Sequence, residues 1–446
     1  MTLMHKNIGD FYPLIHKVMN HKAPVLPYLS ATKYEGKTTH IGSTLIKAFL
    51  PKAKIGALYR IEPGTELAEV ISINESEVLL LPFEHVSGMF YGQWLSYQDA
   101  EFKIRVGDAL LGTIIDGIGR PLGHLSKAEN LPFERSLFAP PPDPLLRRVI
   151  DKPFPMGVRV IDGLLTCGIG QRIGIFAGSG VGKSTLLGMI CNGASADVIV
   201  LALIGERGRE VNEFLSLLPP ETREKSVLVV TTSEKPALER VKSAFTATTI
   251  AEYFRDQGKN VLLMMDSVTR YARAARDVGL AAGEPDIRGG FTPSVFSSLP
   301  KLLERAGPAE KGSITAIYTV LLESDNVNDP VADEVRSILD GHIVLTRELS
   351  EANHFPAIDV GLSASRVMHN VVTPEHLQAA AECKKLIATY KDIELLIRIG
   401  EYATGQDPFA DRAIKNWNAI QSFRQQKIND ICNYSQTINH LSRIII

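Results

Sequence analysis

The chain has 446 residues, of which 45% are hydrophobic and 22% charged, so it is long enough for two or three domains with separate cores. Its formal net charge is −2, which excludes a global basic field of the kind that attracts nucleic acid or an acidic membrane. The four cysteines lie far apart and form no Cys-x-x-Cys pair. That spacing favours free thiols in a reducing compartment over a zinc or redox site.

Two further features of the sequence predict a cytosolic protein. The N-terminal residues lack the apolar run of a secretory signal. No stretch reaches the roughly 18–20 apolar residues of a membrane helix. The most apolar runs, at 198–204 and 261–265, have the length of strands.

Residues 1–25 form a polar lead in which apolar side chains recur at helical spacing. These are Phe11, Leu14, Ile15, Val18 and Met19. The spacing predicts a helix. Such a helix could pack locally on its own domain, or dock onto a partner or another copy of the chain, and the pattern leaves both interpretations open.

From 26 to 98, short β-type runs alternate with turn residues. Examples lie at 44–50, 67–73 and 77–82. Short strands at near-regular spacing predict a small β-barrel domain over 26–98. A linker region follows at 99–150, and its proline run at 140–144 predicts a stiff, extended segment.

From about 150 to 372, apolar strands alternate with helical segments. The predicted strands lie at 172–177, 197–204, 227–231, 261–265, 314–321 and 343–345. Near-continuous apolar strands are typical of a parallel sheet covered by helices on both faces, so the fold class is α/β. Strand signals then stop, and apolar spacing over 375–390 predicts a C-terminal helical domain at 373–446.

A glycine-rich string, Ala-Gly-Ser-Gly-Val-Gly-Lys-Ser at 177–184, joins one of these strands to a helix. Backbone N–H groups of such a loop wrap a phosphate, at the positive end of the following helix. In the general pattern, Lys183 contacts the β- and γ-phosphates and the Ser184 hydroxyl binds magnesium. Ala177 stands where that pattern has glycine, so the flanking strand and helix supply the context on which the prediction depends.

Two acidic residues follow apolar runs downstream of this loop. Asp266 ends the run at 261–265, as the second magnesium carboxylate of a nucleotide site does. Glu206 follows the run at 198–204 and is a candidate for orienting the attacking water. The pattern allows a second interpretation, in which Glu206 begins a helix and stabilises its N-terminal dipole.

Together these strings resemble the catalytic subunits of rotary-type ATPases over residues 26 to 400. The matching strings lie at 177–184, 205–210, 266–272, 293–296 and 356–365. Within that family, 176–184 and 338–344 are most similar to the export ATPases of flagella and type III secretion systems. The strings at 286–298 and 322–330 resemble the injectisome type. The resemblance implies that 99–372 is a RecA-like P-loop ATPase domain.

The resemblance also implies a site for ATP and Mg2+. The loop residues that would bind the nucleotide are Gly178, Ser179, Gly180, Val181, Gly182, Lys183, Ser184 and Thr185. Ser184 and Asp266 would hold the magnesium ion. Glu206, with Arg207 beside it, would position or activate the attacking water.

Two more residues gain a role only from the resemblance. Arg366 matches an arginine finger that reaches into the site of a neighbouring subunit, although its spacing in the chain gives no reason to single it out. Phe355 stands where the family often has an aromatic ring against adenine. Its position before Pro356 is equally that of a core phenylalanine.

In the family's synthases, the catalytic glutamate and the finger arginine lie on different types of subunit. Here Glu206 and Arg366 belong to one chain, so a ring of identical chains would have a complete site at each interface. We therefore expect a homohexamer. The resemblance implies further partners: a stator or regulator protein, a central stalk protein, export-gate membrane proteins and chaperone–effector complexes. It places the ring in the cytoplasm, peripheral to the inner membrane at the base of the apparatus.

The implied function is Mg-ATP hydrolysis that energises protein export, by releasing chaperones and unfolding cargo. One alternative is a flagellar export ATPase with the same chemistry, and another is a rotary synthase subunit, against which the pairing of Glu206 with Arg366 argues. A hexameric helicase would need a basic, aromatic-rich barrel that 26–98 do not encode, so no nucleic-acid partner is expected. A scaffold without turnover conflicts with the presence of Lys183, Glu206 and Asp266. The segment at 405–411 is less acidic than the shaft-contacting string of the synthases, which leaves coupling to a shaft open.

Overall fold

The computed structural model describes residues 34–75, 77–123, 131–322 and 329–445. The helix predicted over 1–25 lies outside these residues, as does the start of the predicted barrel segment at 26–33. The described residues form an N-terminal barrel, a central sheet between layers of helices, and a group of C-terminal helices.

Six antiparallel strands close the N-terminal barrel, in the order β1-β2-β5-β4-β3-β6. Alternate side chains point inward and fill the barrel, as with the fully buried Ile46, Val70, Leu80 and Leu95. The predicted barrel is therefore confirmed. Its strands are β1 (Tyr34–Ile41), β2 (Ile46–Phe49), β3 (Leu58–Ile61), β4 (Leu67–Ile73), β5 (Val78–Pro82) and β6 (Trp94–Asp99).

The segment after the barrel does more than link two domains. It contributes a two-stranded ribbon, β7 (Lys103–Val106) with β9 (Phe133–Ser136), and a short strand, β8 (Ile114–Ile115), that joins the central sheet beside β12. The barrel and the sheet consequently share one apolar core, which includes Leu81 and Phe83 of the barrel.

The central sheet has nine strands and confirms the predicted α/β class. Its order is β17-β16-β10-β15-β13-β11-β12-β8, with β14 paired to β15 off this path. Neighbours along the path are parallel except for the antiparallel edge pair β16–β17. The remaining strands are β10 (Arg172–Ala177), β11 (Val198–Glu206), β12 (Ser226–Thr232), β13 (Asn260–Asp266), β14 (Gly307–Pro308), β15 (Ser313–Leu321), β16 (Gly341–Leu345) and β17 (Ile358–Ser365).

Helices cover both faces of this sheet, which explains why the central strands are apolar throughout. Every residue of β11 is buried. The covering helices are α1 (Arg159–Leu164), α2 (Lys183–Gly193), α3 (Gly208–Ser216), α4 (Pro220–Glu224), α5 (Ala237–Asp256), α6 (Val268–Ala281), α7 (Pro293–Leu303), α8 (Pro330–Ile338), α9 (Arg347–Glu351) and α10 (Met368–Val371).

The C-terminal region is helical, as predicted from the end of the strand signals. It consists of α11 (Pro374–Arg398), α12 (Pro408–Arg424) and α13 (Tyr434–Ile445). Pro374 occupies the first turn of α11, and the Thr373 side chain accepts a hydrogen bond from the His376 N–H there. Among the residues that the structure describes, no helix is both long and apolar enough to span a membrane.

Candidate active site

The glycine-rich loop connects β10 to α2 at the carboxyl edge of the parallel sheet, where ligands bind in folds of this type. Gly180 and Gly182 have positive φ angles of 79° and 87°, which favour glycine. A Cβ atom added to Gly178 or Gly180 would meet no atom within 4 Å. The loop therefore borders open space on the side where a phosphate would lie.

Three residues predicted from separate parts of the chain converge at this edge. Lys183, the first residue of α2, forms an ion pair with Oδ1 of Asp266. Its Nζ also lies 3.8 Å from Oε1 of Glu206. Glu206 and Asp266 end the neighbouring strands β11 and β13, which are parallel and therefore finish side by side. The two carboxyl groups are buried, with Glu206 6% and Asp266 3% exposed.

Glu206 lies in an environment that opposes its charge. Burial raises its pKa to about 8, and the nearby carboxyl groups of Glu210 and Asp266 raise it too, while Lys183 and Arg270 act in the opposite direction. Its Oε1 atom is buried and accepts no hydrogen bond from the part of the chain that is described. A buried acceptor without a donor can receive a hydrogen bond from a water molecule or ligand.

Two residues of the cluster were missed by sequence reasoning. Arg270 donates to Oε2 of Glu206 at 2.9 Å and to the carbonyl of Gly205. It lies four residues after Asp266, at the start of α6, and this spacing was the available signal. Thr319 donates to Oδ1 of Asp266 at 2.7 Å. Its only signal in the sequence is a hydroxyl near the end of an apolar strand.

Ser184 and Thr185 follow Lys183 in the first turn of α2, and Ser184 is exposed. Arg207 caps the start of α3, and its side chain is 73% exposed, 3.7 Å from Glu210. Glu206 itself is the last residue of β11 rather than a residue of the helix.

The other two predicted residues lie at opposite edges of the sheet, with Phe355 beside the loop and Arg366 at the edge where β10 and β16 begin. The ring of Phe355 is 38% exposed and would be 3.3 Å from a Cβ added to Gly182, so it packs against the loop. Arg366 is exposed just beyond the end of β17. Its guanidinium group donates to the carbonyls of Leu339, at 3.2 Å, and Arg336, at 3.5 Å. These contacts hold Arg366 near α8 and away from Lys183.

The cluster can bind and hydrolyse a phosphoanhydride. It combines a phosphate-wrapping loop, an ammonium group, a buried carboxyl group with an unpartnered oxygen, and a second carboxylate at the end of a strand. The hydroxyl of Ser184 and the carboxylate of Asp266 are hard oxygen donors of the type that magnesium prefers. The residues present therefore fit a magnesium nucleotide.

Comparison with known families agrees with this chemistry. Residues 157–365 match the nucleotide-binding domain of the ATP synthase alpha/beta family. Residues 372–443 match the C-terminal domain of the EscN ATPases of type III secretion systems. The fold and the site thus define a nucleotide-binding domain of the rotary ATPase class, followed by a helical domain of the secretion type.

Whole-chain similarity is high. The SPI-2 type 3 secretion system ATPase of Salmonella typhimurium is 51% identical, covering 92% of this chain and 94% of the relative. The structure of assembled EscN from enteropathogenic E. coli superposes with a TM-score of 0.90 at 80% identity, over 92% of this chain and all of EscN. EscN in complex with its central stalk EscO gives a TM-score of 0.88 at 78% identity, with the same coverage. The chain belongs to the type III secretion system ATPases of the EscN group, and it is an ATPase.

Proposed function

We propose that this chain is the Mg-ATP-driven motor of a type III secretion system, and that it works as a homohexamer with its nucleotide sites between neighbouring subunits. The observation that carries the proposal is the division of the site. Lys183, Glu206 and Asp266 converge within one chain, whereas Arg366 is exposed and, among the described residues, donates to backbone carbonyls alone. The structure of assembled EscN, at 80% identity, supports a ring of identical chains.

The Lys183 ammonium group neutralises Asp266. On nucleotide binding, Lys183 would turn to the β- and γ-phosphates and the N–H groups of 178–185 would cradle them. Ser184 and Asp266 would then hold the magnesium ion, which when bound supplies charge neutralisation at the phosphate oxygens. Phe355, already packed on the loop, would provide the surface for the adenine ring.

Glu206 would orient the attacking water and accept its proton, because its Oε1 is buried, accepts no hydrogen bond from the described residues and lies 3.8 Å from Nζ of Lys183. Arg270 holds the opposite oxygen of the same carboxyl group. Arg207, beside Glu206, is directed to solvent, where it would meet a neighbouring subunit. Arg366 of the adjacent copy would stabilise the charge that develops on the transferred phosphoryl group.

The proposed partners follow from the relatives and from the architecture. EscN is known in complex with its central stalk EscO, which supports a stalk partner for this chain as well. A stator or regulator protein, the export-gate membrane proteins and chaperone–effector complexes complete the proposal. Energy from hydrolysis would release chaperones and unfold cargo at the cytoplasmic side of the inner membrane. The proposed domain limits are 26–98, 99–372 and 373–446, with 1–25 available for partners or oligomerisation.

A mixing experiment tests the shared site. Lys183→Ala and Arg366→Ala, prepared separately, should each lower phosphate release at least ~100-fold, because one removes the phosphate contact and the other the charge supplied in trans. Mixing them should restore activity, since some interfaces then pair an intact loop and Glu206 with an intact Arg366. Phosphate release is measured after subunit exchange has been demonstrated with labelled chains.

The control mixture contains Lys183→Ala and the double variant Lys183→Ala/Arg366→Ala. It has no intact loop at any interface and should stay inactive. A first mixture that exchanges subunits and yet remains as inactive as this control would contradict the arrangement in trans.

A further inference from the structure

Oxygen Oδ1 of Asp266 receives two hydrogen bonds of different character. One comes from Lys183, and the other from the hydroxyl of Thr319 at 2.7 Å. In the described part of the chain, no donor contacts the second oxygen, Oδ2. The carboxylate is therefore held through one oxygen, and the other is free.

The position of Thr319 is fixed from both sides by the sheet. It lies near the end of β15, between the loop strand β10 and the strand β13 that ends in Asp266. Ile175 is its neighbour on β10, and Met265 pairs with the preceding residue, Tyr318, on the other side. Thr319 is fully buried, and a β-branched side chain has few rotamers, so its hydroxyl is held rigidly next to Asp266.

We infer that Thr319 is a positioning residue for the magnesium-binding carboxylate, an inference that rests on the proposed function. When Lys183 leaves Asp266 for the phosphates, Thr319 is the donor that remains on Oδ1. It would keep the carboxylate from rotating and leave Oδ2 available to the metal. Hydrogen bonds to the ligands of a metal commonly account for a 10–100-fold difference in metal affinity.

The competing explanation is that Thr319 only satisfies strand packing, with its hydroxyl donating to the Met265 carbonyl at 3.3 Å rather than to the Asp266 carboxylate at 2.7 Å. The buried hydroxyl of Tyr318, the preceding residue of the strand, has no hydrogen-bond partner in the described residues. This part of the core thus tolerates unpartnered hydroxyls, and the contact between Thr319 and Asp266 is not a general requirement for burying one. The packing explanation predicts that an isosteric Thr319→Val change affects stability but not the magnesium requirement.

The test measures binding of a fluorescent ADP to the full chain as magnesium is titrated, so that turnover is not the readout. Thr319→Val should raise the magnesium concentration for half-maximal binding roughly tenfold and leave binding without magnesium nearly unchanged. Thr319→Ser keeps the donor and should behave like the unmodified chain. The matched control is Thr315→Val on the same strand, where the hydroxyl accepts from Gly170 N–H at 2.8 Å, remote from Asp266.

Several results would overturn the inference. They are a Thr319→Val chain with an unchanged magnesium requirement, a Thr315→Val chain with the same shift, and a folded Thr319→Ser chain that is not rescued. Circular dichroism melting distinguishes a lost fold from a lost contact. The proposed function itself is contradicted if the unmodified chain binds the nucleotide without any response to magnesium and the Lys183→Ala chain binds it equally well. If binding does depend on magnesium and on Lys183 but Thr319→Val has no effect, only the positioning role of Thr319 is ruled out.

Discussion

Glu206 shows how one buried side chain can set the pH range of the reaction. Its carboxyl group ends an apolar strand, is 6% exposed and has its pKa raised to about 8. Below that pH, the free chain holds Glu206 mainly protonated, and a protonated carboxyl group cannot accept a proton from water. Above that pH, Glu206 is mainly ionised and its carboxylate can accept a proton from water.

We therefore expect kcat/KM for ATP to rise about tenfold per pH unit up to about pH 8 and then level, since kcat/KM reports the free chain. Glu206→Gln should lower kcat by roughly 10²–10⁴-fold while nucleotide still binds. The measurement is phosphate release at saturating magnesium between pH 6 and 9.

Glu210 offers a direct check on this assignment. Its side chain raises the pKa of Glu206, so Glu210→Gln should move the rise in kcat/KM to lower pH. Arg398→Gln, an exposed change on the C-terminal helix α11, should leave the profile in place. A rise that Glu210→Gln does not displace, or a Glu206→Gln chain with normal turnover, would count against Glu206 as the base.

At the scale of secondary-structure elements, the C-terminal helices reach the nucleotide site through Gln426. Its amide side chain donates to the Gly157 carbonyl at 2.8 Å and accepts from Arg159 N–H at 2.8 Å. Its own N–H donates to the carbonyl of Phe355 at 3.0 Å. Gln426 lies two residues after the end of α12, so a single residue ties this helix to α1 and to the backbone of Phe355, whose ring lies beside the loop.

Gln426→Ala should raise the KM for ATP several-fold with a smaller change in kcat. The change removes the side-chain bonds to Gly157 and Arg159, each worth about 1 kcal/mol, and leaves the backbone bond to Phe355 on a segment that is less firmly anchored. Steady-state kinetics and equilibrium binding of a fluorescent nucleotide measure the change. Gln425→Ala makes the same chemical change at an exposed neighbour and should have no effect. An altered kcat with an unchanged KM would refute this connection.

Elements whose signal is local in sequence could be predicted, and those defined by tertiary contacts could not. The apolar runs identify β10, β11, β13 and β15, and parallel strands necessarily bring the ends of β11 and β13 together. Strand β17 was missed because it is an edge strand with exposed Gly361 and Leu362, so it has no continuous apolar run. Strand β8 has only two residues.

The same limit applies to the site. Lys183, Glu206 and Asp266 belong to recognisable strings, and the structure brings them together. Thr319 lies 53 residues after Asp266, and only the insertion of β15 between β10 and β13 makes them neighbours. Arg270 was visible in the string at 266–272, but its contact with Glu206 depends on where α6 begins.

At the scale of the whole molecule, a buried ion pair fixes the barrel to the ATPase domain. Lys242 on α5 contacts Glu69 on β4 at 2.6 Å, and their side chains are 2% and 11% exposed. The ammonium group also lies 4.5 Å from the centre of the Phe138 ring. Attraction between such groups is strong only because water is excluded, so loss of either partner leaves a buried charge uncompensated.

Lys242→Met should therefore lower the free energy of unfolding by about 3–5 kcal/mol, because Glu69 remains buried without its cation. The double variant Lys242→Met/Glu69→Gln should recover most of this loss, since the stranded charge is gone. Lys47→Met removes a pair with Glu77 on the barrel surface, where both side chains are more than a third exposed, and should cost less than about 1 kcal/mol. Denaturant titration followed by fluorescence measures all three variants.

A double variant no more stable than Lys242→Met would mean that Lys242 stabilises the junction by packing on Phe138 rather than by its charge. Equal losses for Lys242→Met and Lys47→Met would mean that the barrel is not fixed to the ATPase domain through this pair.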